Sequence, residues 1–223
     1  MAPILGYWEI RGLAHSIRLL LHYKEAEFVN KMYPQGPPPD FSREAWYSEK
    51  FNLGLDFPNL PYYIDGDVKL TETSAIFAYL GRKYNLCGST EDARVRNDMV
   101  YSVQDSHRSA YVRLSYSKES DFEALKRPFV ESLPDRLEAL SKFLGDHEYF
   151  GGAEIVYSDF CVYDLLDTFN NLSPGCVDKY ANLKAYLARI EALPTLKKFL
   201  SSPEAYRKGP FNSKIAAWGS KPF

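Results

Sequence analysis

The sequence predicts two structural classes in one chain, an α/β unit over residues 1–85 followed by an all-helical unit over residues 91–223. Three observations carry this. Short β-branched and aromatic runs occur before Glu72, in the order strand, helix, strand, then a hairpin running into a helix. Beyond Thr90 such runs vanish, and apolar residues recur only at three- and four-residue spacing. Between the two regimes, Tyr84 to Thr90 reads as a linker, with Gly88 as a stop and Ser89 or Thr90 as the next helix cap.

Ile4-Leu5-Gly6-Tyr7-Trp8 is a short buried strand. After Glu9-Ile10-Arg11-Gly12 a helix carries Leu13, Ile17, Leu20 and Leu21 on one face. Phe28 to Tyr33 is a second strand, and Gln35 to Asp40, with three consecutive prolines, is a loop. Ser42 caps a short helix bearing Trp46. Leu60 is held extended by Pro61, whose ring disfavours the α region for its predecessor. Tyr62-Tyr63-Ile64 and Val68-Lys69-Leu70-Thr71 form a hairpin joined by Asp65-Gly66-Asp67. Glu72-Thr73-Ser74 supplies an acid and hydroxyl caps, and Ala75, Ile76, Tyr79, Leu80 and Lys83 continue at helical spacing. The first half wants parallel strands and the second antiparallel ones. A four-stranded mixed sheet with helices packed on it satisfies both, which is thioredoxin-like architecture.

In the helical unit, Val95, Met99, Val103, Val112 and Tyr116 mark one long helix. A stripe from Leu125 through Phe129, Leu133, Leu137 and Leu140 to Leu144 follows, kinked or divided at Pro134. Phe160, Tyr163, Leu166 and Asn170 mark a further helix, as do Leu183, Leu187 and Ile190. Pro194 ends the latter, and Leu196 to Leu200 is one more short turn of helix. The tail from Gly209 to Phe223 is irregular, but Phe211, Ile215 and Trp218 fold it back onto the body.

Composition narrows the function. With 45% hydrophobic and 25% charged residues, the chain has the make-up of an ordinary globular protein. A formal net charge of −2 argues against nucleic acid as a main partner. No apolar run approaches the ~20 residues of a membrane span. Met1 to Gly6 lacks the basic and apolar regions of a signal peptide. Cys87, Cys161 and Cys176 show no metal-ligand spacing and read as free thiols, and the scattered His15, His22, His107 and His147 suggest no metal site or triad. Phosphate-loop, nucleophile-elbow and zinc-helix motifs are missing.

What remains is a ligand seat. The hairpin between Leu53 and Ile76 runs into a helix N-terminus, whose free N–H groups and positive dipole suit a carboxylate. Extended backbone at Asn59-Leu60 can pair with a peptide-like ligand. A thioredoxin-like oxidoreductase would carry Cys-x-x-Cys after the first strand. Here Tyr7-Trp8-Glu9-Ile10-Arg11-Gly12 stands there, which rules out dithiol chemistry and leaves a tyrosine.

Pro3 to Trp8, Arg11-Gly12-Leu13, Ile17-Arg18, the run from Leu53 to Ile76, Phe143-Leu144-Gly145 and Tyr157 to Phe160 together resemble a mu-class glutathione S-transferase. The loop Gly36 to Phe41 is similar to the insertion that marks this class. The resemblance spans nearly the whole chain, and its wording is similar to that of invertebrate members, some of which are known as allergens. It implies a cytoplasmic, homodimeric enzyme of detoxification that conjugates glutathione, its co-substrate, to small hydrophobic electrophiles without a metal. It implies that Tyr7 hydrogen-bonds the glutathione sulfur. Trp8, Arg43, Trp46 and Lys50 would hold the glycine and cysteinyl end. Asn59 and Leu60, before a cis Pro61, would pair with the cysteinyl backbone. Glu72 and Thr73 would hold the γ-glutamyl end. Tyr116 would face the electrophile, in a pocket with Leu13, His107, Tyr111 and the tail near Phe211. Phe57 would insert into the other subunit.

The chemistry is consistent with the central role. A thiol ionises near pH ~8.5 and a phenol near ~10, so at neutral pH the tyrosine is a donor and not the base. A hydrogen bond to the thiolate favours that form, and lowering its pKa by ~2 units takes about 2.7 kcal/mol. Taken alone, a tyrosine at a strand end is a core-edge residue, and Trp46, Arg43, Lys50 and Tyr116 would be packing or solvated charge. A non-catalytic glutathione- or ligand-carrying protein of the same fold and a peptide-binding adaptor are the competing readings.

Certain positions depart from the class pattern. Glu72 stands where the pattern has glutamine, adding charge beside the γ-glutamyl carboxylate, while Thr73 keeps the hydroxyl of a serine. Ser106 replaces an aspartate that reaches glutathione across the dimer; Asp105 lies one residue earlier, about 100° round the helix. Val156 replaces a hydroxyl N-cap, a loss of about 1 kcal/mol. Ala78 replaces an arginine at the dimer axis.

Overall fold

A computed structural model describes residues 1–221, so Pro222 and Phe223 at the end of the tail lie outside the described residues. Four strands, β1 (Ile4–Trp8), β2 (Val29–Tyr33), β3 (Tyr62–Asp65) and β4 (Val68–Thr71), form one sheet in the order β2-β1-β3-β4. β1 pairs parallel with β2, whereas β1–β3 and β3–β4 are antiparallel. This is the mixed sheet expected from the sequence. The hairpin is tighter than its sequence suggests. Asp65 is the last strand residue, opposite Val68, and only Gly66 and Asp67 make the turn. Asp65 is held there because its carboxylate accepts from the Tyr79 hydroxyl at 2.8 Å and pairs with Lys83, tying hairpin to helix.

Helix α1 (His15–Tyr23) follows a 3-10 turn at Gly12–Ala14; the single-turn α2 (Glu44–Tyr47) and α3 (Thr73–Lys83) complete the first domain. The second domain is helical: α4 (Glu91–Ser115), α5 (Glu119–Glu131), α6 (Leu133–Leu144), α7 (Tyr157–Leu172), α8 (Ala181–Ala192) and α9 (Pro194–Leu200). α7 is buried nearly all round and packs against α1, α3, α4 and α8, so one apolar core runs through both domains. No helix among the described residues is long and apolar enough to cross a membrane.

Pro134 divides the expected stripe. α5 ends at Glu131 and α6 restarts at Leu133 with Pro134 in its first turn, where a missing N–H costs no helical bond. The apolar stripe expected to bury α4 does not. Val95 is 49% exposed, Met99 51% and Val103 38%, while Asn97, Val100, Gln104, Arg108 and Tyr111 face the core. Hydropathy misleads here because the buried polar groups are satisfied: the Asn97 Oδ1 accepts from the Ser158 amide at 3.2 Å, and Arg108 reaches Asp164.

Thr90 caps α4, its hydroxyl accepting from the Ala93 amide at 3.2 Å, and the Ser42 hydroxyl accepts from Glu44 ahead of α2 at 3.2 Å. At α3 the expected hydroxyl cap is not made: the N-cap is Glu72, with φ 65°, and no side chain caps the helix. At α7 the valine N-cap has no acceptor to offer. The Asp159 carboxylate closes that end instead, accepting from the Val156 and Phe150 amides, both at 2.9 Å. Ser158 does not substitute, since its hydroxyl is buried without a partner among the described residues.

Candidate active site

The site begins where β1 ends. The Tyr7 ring is buried, and the chain then turns back at Gly12, with φ 46°. A Cβ at residue 12 would lie 2.4 Å from Tyr7 Cε1, so both the conformation and the ring demand glycine. That turn delivers the Leu13 amide to the Tyr7 oxygen at 3.1 Å. The phenol therefore accepts from the backbone and keeps its own hydrogen for another acceptor. Burial pushes its pKa up to about 12, against the lowering effects of the Leu13 amide and the nearby Arg18 and Arg108 guanidiniums.

A cavity of about 370 Å³ opens over this hydroxyl. Tyr7, Trp8, Leu13, Arg43 and Tyr116 of the expected residues line it, together with Tyr111 and Phe211. A neighbouring cavity of about 430 Å³ is lined by Glu72, Thr73 and Ser74 at the open end of α3 and by Tyr101, Gln104 and Asp105 of α4. Leu13, Arg108 and Val112 border both, so the two spaces adjoin. Together they offer a polar end beside a helix N-terminus and an apolar end beside aromatic rings.

Other expected residues lie outside these linings. Trp46 is 3% exposed, stacked on Tyr62 at 5.9 Å and edge-on to Tyr33 at 5.3 Å. Lys50 is half-buried, its ammonium over the Tyr47 and Phe51 rings at 5.8 and 5.3 Å. Asn59 is exposed and Leu60 half-buried, and the Leu60–Pro61 bond is cis, as the resemblance implies. Phe57 is 77% exposed. His107, expected in the electrophile pocket, instead lies within 2.9 Å of the Arg136 guanidinium on α6. That follows from helix rotation, since the α4 residues facing the cavities step back from Tyr116 by fours through Val112, Arg108 and Gln104.

The same step exposes what hydropathy missed. Arg108 lines both cavities and ion-pairs with Asp164 at 2.6 Å. Asp164 also takes Arg11 at 2.7 Å, and Arg11 reaches Asp167 at 2.6 Å. Burial would raise the Asp164 pKa, but the Arg108 and Arg11 guanidiniums overcome it and hold the carboxyl at about 2. The apolar end is closed by the tail. The Arg11 and Gly12 amides donate to the Pro210 and Phe211 carbonyls at 2.9 and 3.0 Å. The Ser213 amide donates to the Tyr116 hydroxyl at 3.0 Å, and the Asn212 side chain to the Tyr111 hydroxyl at 2.7 Å.

A thioredoxin-like sheet presents a buried tyrosine hydroxyl to a two-part cavity with a helical domain as the far wall, and comparison with known proteins says which class of protein is built this way. The family model for the glutathione S-transferase N-terminal domain matches residues 3–82, and that for the C-terminal domain matches residues 104–203. The chain is 45% identical over 221 residues to glutathione S-transferase Mu 1 of Bos taurus, covering 99% of this chain and 100% of that protein. It is 46% identical over 222 residues to glutathione S-transferase Mu 5 of Homo sapiens, with the same coverage. The crystal structure of the glutathione S-transferase Blo t 8 superimposes with a TM-score of 0.89 at 33% identity, over 97% of this chain and 99% of that one. A pi-class glutathione S-transferase of Onchocerca volvulus gives 0.84 at 30% identity, over 97% of this chain and 100% of that one. The chain belongs to the glutathione S-transferase family.

Proposed function

We propose that this protein is a mu-type enzyme that transfers the thiolate of glutathione to small hydrophobic electrophiles. The observation that carries the reading is the Tyr7 hydroxyl, fixed by the Leu13 amide and buried at the floor of the cavity beside Arg108. With its pKa raised to about 12, Tyr7 stays protonated and donates to the sulfur. A donor and a buried cation favour the thiolate over the thiol, and the thiolate is the nucleophile. Its sulfur forms the new bond to carbon, and the electron pair leaves with the departing group or is protonated after addition.

The partly buried Thr73 and the exposed Ser74 begin a helix with no side-chain cap, which supports a γ-glutamyl carboxylate seated on their amides. Glu72 then accepts from the ligand's ammonium. Arg43, Trp46 and Lys50, with Trp8, take the glycyl and cysteinyl end, and Asn59 and Leu60 before Pro61 pair with the cysteinyl backbone. Tyr116 and Leu13 meet the electrophile. Residues 1–85 form the glutathione-binding domain and residues 91–223 the electrophile wall. The working form is a cytoplasmic homodimer with Phe57 as the inter-subunit key. The exposed Phe57 and the solvent-facing Val95, Met99 and Val103 support an apolar contact between subunits. The wording of the motifs supports an invertebrate source and allergenicity.

Conjugation of glutathione to a chromogenic aryl halide tests the activity. In Tyr7→Phe the rate at neutral pH is expected to fall about 10- to 100-fold, and the pH profile to move up by ~1–2 units, as the thiol reverts toward its free pKa. A native protein retained on immobilised glutathione but inert with every electrophile would be a carrier. One that ignores glutathione altogether would be an adaptor. For the dimer, sedimentation showing only monomer at micromolar concentration would remove the role given to Phe57.

A further inference from the structure

We infer that Glu49 is a positioning residue for the glycyl end of glutathione, fastening the α2 turn that carries Arg43, Trp46 and Lys50 to the edge of the sheet. The inference rests on the glutathione reading above and adds a residue that this reading does not use.

α2 is a single turn of four residues with only the Ser42 hydroxyl on its first amide, too short to hold itself. Its backbone nonetheless behaves as one piece. The Trp46 and Tyr47 amides donate to the Arg43 carbonyl at 3.0 Å each. The Glu49 and Lys50 amides donate to the Trp46 carbonyl at 3.1 and 2.9 Å. Whatever fixes Glu49 therefore fixes Lys50 and, through Trp46, Arg43.

Packing of the Trp46 indole among Tyr33, Leu55 and Tyr62 supplies burial, but apolar contact is tolerant of small rotations. Glu49 supplies direction. One of its carboxylate oxygens, Oε2, takes both the Lys31 ammonium and, at 2.9 Å, the Tyr33 hydroxyl, both from β2. The Tyr33 hydrogen is thereby committed to Glu49. The Tyr62 hydroxyl, 2.9 Å from the Tyr33 oxygen, must then be the donor in that pair. Tyr62 begins β3, immediately after Leu60 and Pro61. One chain of hydrogen bonds thus joins α2, β2 and the start of β3, the pieces proposed to hold the glycyl and cysteinyl parts of the ligand. Glu49 and Lys31 are more than a third exposed, so their ion pair adds little to stability by itself. Tyr33 and Tyr62 are 2% and 1% exposed, so the acceptor that orients their hydroxyls matters more.

The test compares glutathione with γ-glutamylcysteine, which lacks the glycyl unit, in the native full-length protein and in Glu49→Ala, Glu49→Gln and Tyr33→Phe. The native protein is expected to bind glutathione more tightly. Glu49→Ala should cut that preference about tenfold, equivalent to ~1.4 kcal/mol, with γ-glutamylcysteine, which still uses the cysteinyl-holding start of β3, weakened only about two- to threefold and kcat at saturating glutathione within about twofold of native. Glu49→Gln keeps an acceptor for Tyr33 and the size of the side chain, and should cost about two- to threefold. Tyr33→Phe keeps the ion pair but cuts the relay to Tyr62, and should fall between them. If the Glu49 variants leave the preference intact, or weaken both ligands equally, Glu49 is merely structural and the inference fails. If the native protein does not prefer glutathione, the assignment of Arg43, Trp46 and Lys50 to the glycyl end fails first.

Discussion

Two helix N-termini in this chain are built in opposite ways. α7 starts at Val156, which has no acceptor, yet its end is closed from within by Asp159, whose two oxygens take the Val156 and Phe150 amides. α3 starts at Glu72, in a backbone conformation that L-residues rarely adopt, and nothing in its own sequence caps it. The closed end lies in the core, and the open end borders a cavity of about 430 Å³. Buried backbone donors must be paired by something. Where the protein pairs them itself, the terminus is structural. Where it leaves them to the solvent side, beside a strained residue, the terminus is available to a ligand.

The contrast can be broken first at the closed end. Asp159→Ala orphans two buried amides at ~1–3 kcal/mol each, so unfolding by denaturant should show a loss of about 3 kcal/mol, with glutathione affinity unchanged in whatever fraction remains folded. A loss of affinity instead would mean that the two termini are coupled. The next largest effect lies further along α7. Asp164 is held at about 2 by Arg108 and Arg11, below its unfolded value of about 3.8. Its contribution, on the order of 2 kcal/mol, is therefore present above pH ~4 and lost as pH falls from ~4 to ~2. Acid unfolding of the native chain and of Asp164→Asn should differ in that window. Superimposable slopes there would remove the ion pair from the stability of the domain.

How much of this was legible in the sequence follows from the same contrast. Strand order, the hairpin and the helix starts were legible because turn residues and caps act locally: Thr90 caps α4, and Pro134 splits α5 from α6. The face of α4 was not. Periodicity selects Val95, Met99 and Val103, whereas the core takes Gln104 and also Asn97 and Arg108, the last two paired with partners on α7 more than fifty residues away. The site divides likewise. Tyr7, Glu72 and Thr73 stand out locally, at the place of a dithiol motif and at a helix start, whereas Trp8 and Leu13 come only from the family resemblance; all five line the two cavities. Arg108 was not legible, because a charged residue reveals its role only with Asp164 beside it. Glu49 was not, because its function is to connect α2, β2 and β3, and no local pattern records a connection.

The open end can be tested by relaxing it. Glu72→Gly removes the cost of a non-glycine residue at φ 65° and should stabilise the free protein by about 1 kcal/mol, while glutathione binds more weakly for want of the acceptor facing its ammonium. Stability gained without loss of affinity would mean that the strained residue does not serve the ligand. The smallest effect separates charge from shape. Glu72→Gln keeps the length and the acceptor oxygen but removes the negative charge near the ligand's γ-glutamyl carboxylate. Exposed charges at such range interact by less than ~1 kcal/mol, so titration with glutathione should show only a few-fold tightening, shrinking as salt is raised. An affinity unchanged at low salt would mean that the helix dipole and the amides of Thr73 and Ser74 already outweigh the glutamate, and that the open terminus, rather than the residue before it, is what selects the ligand.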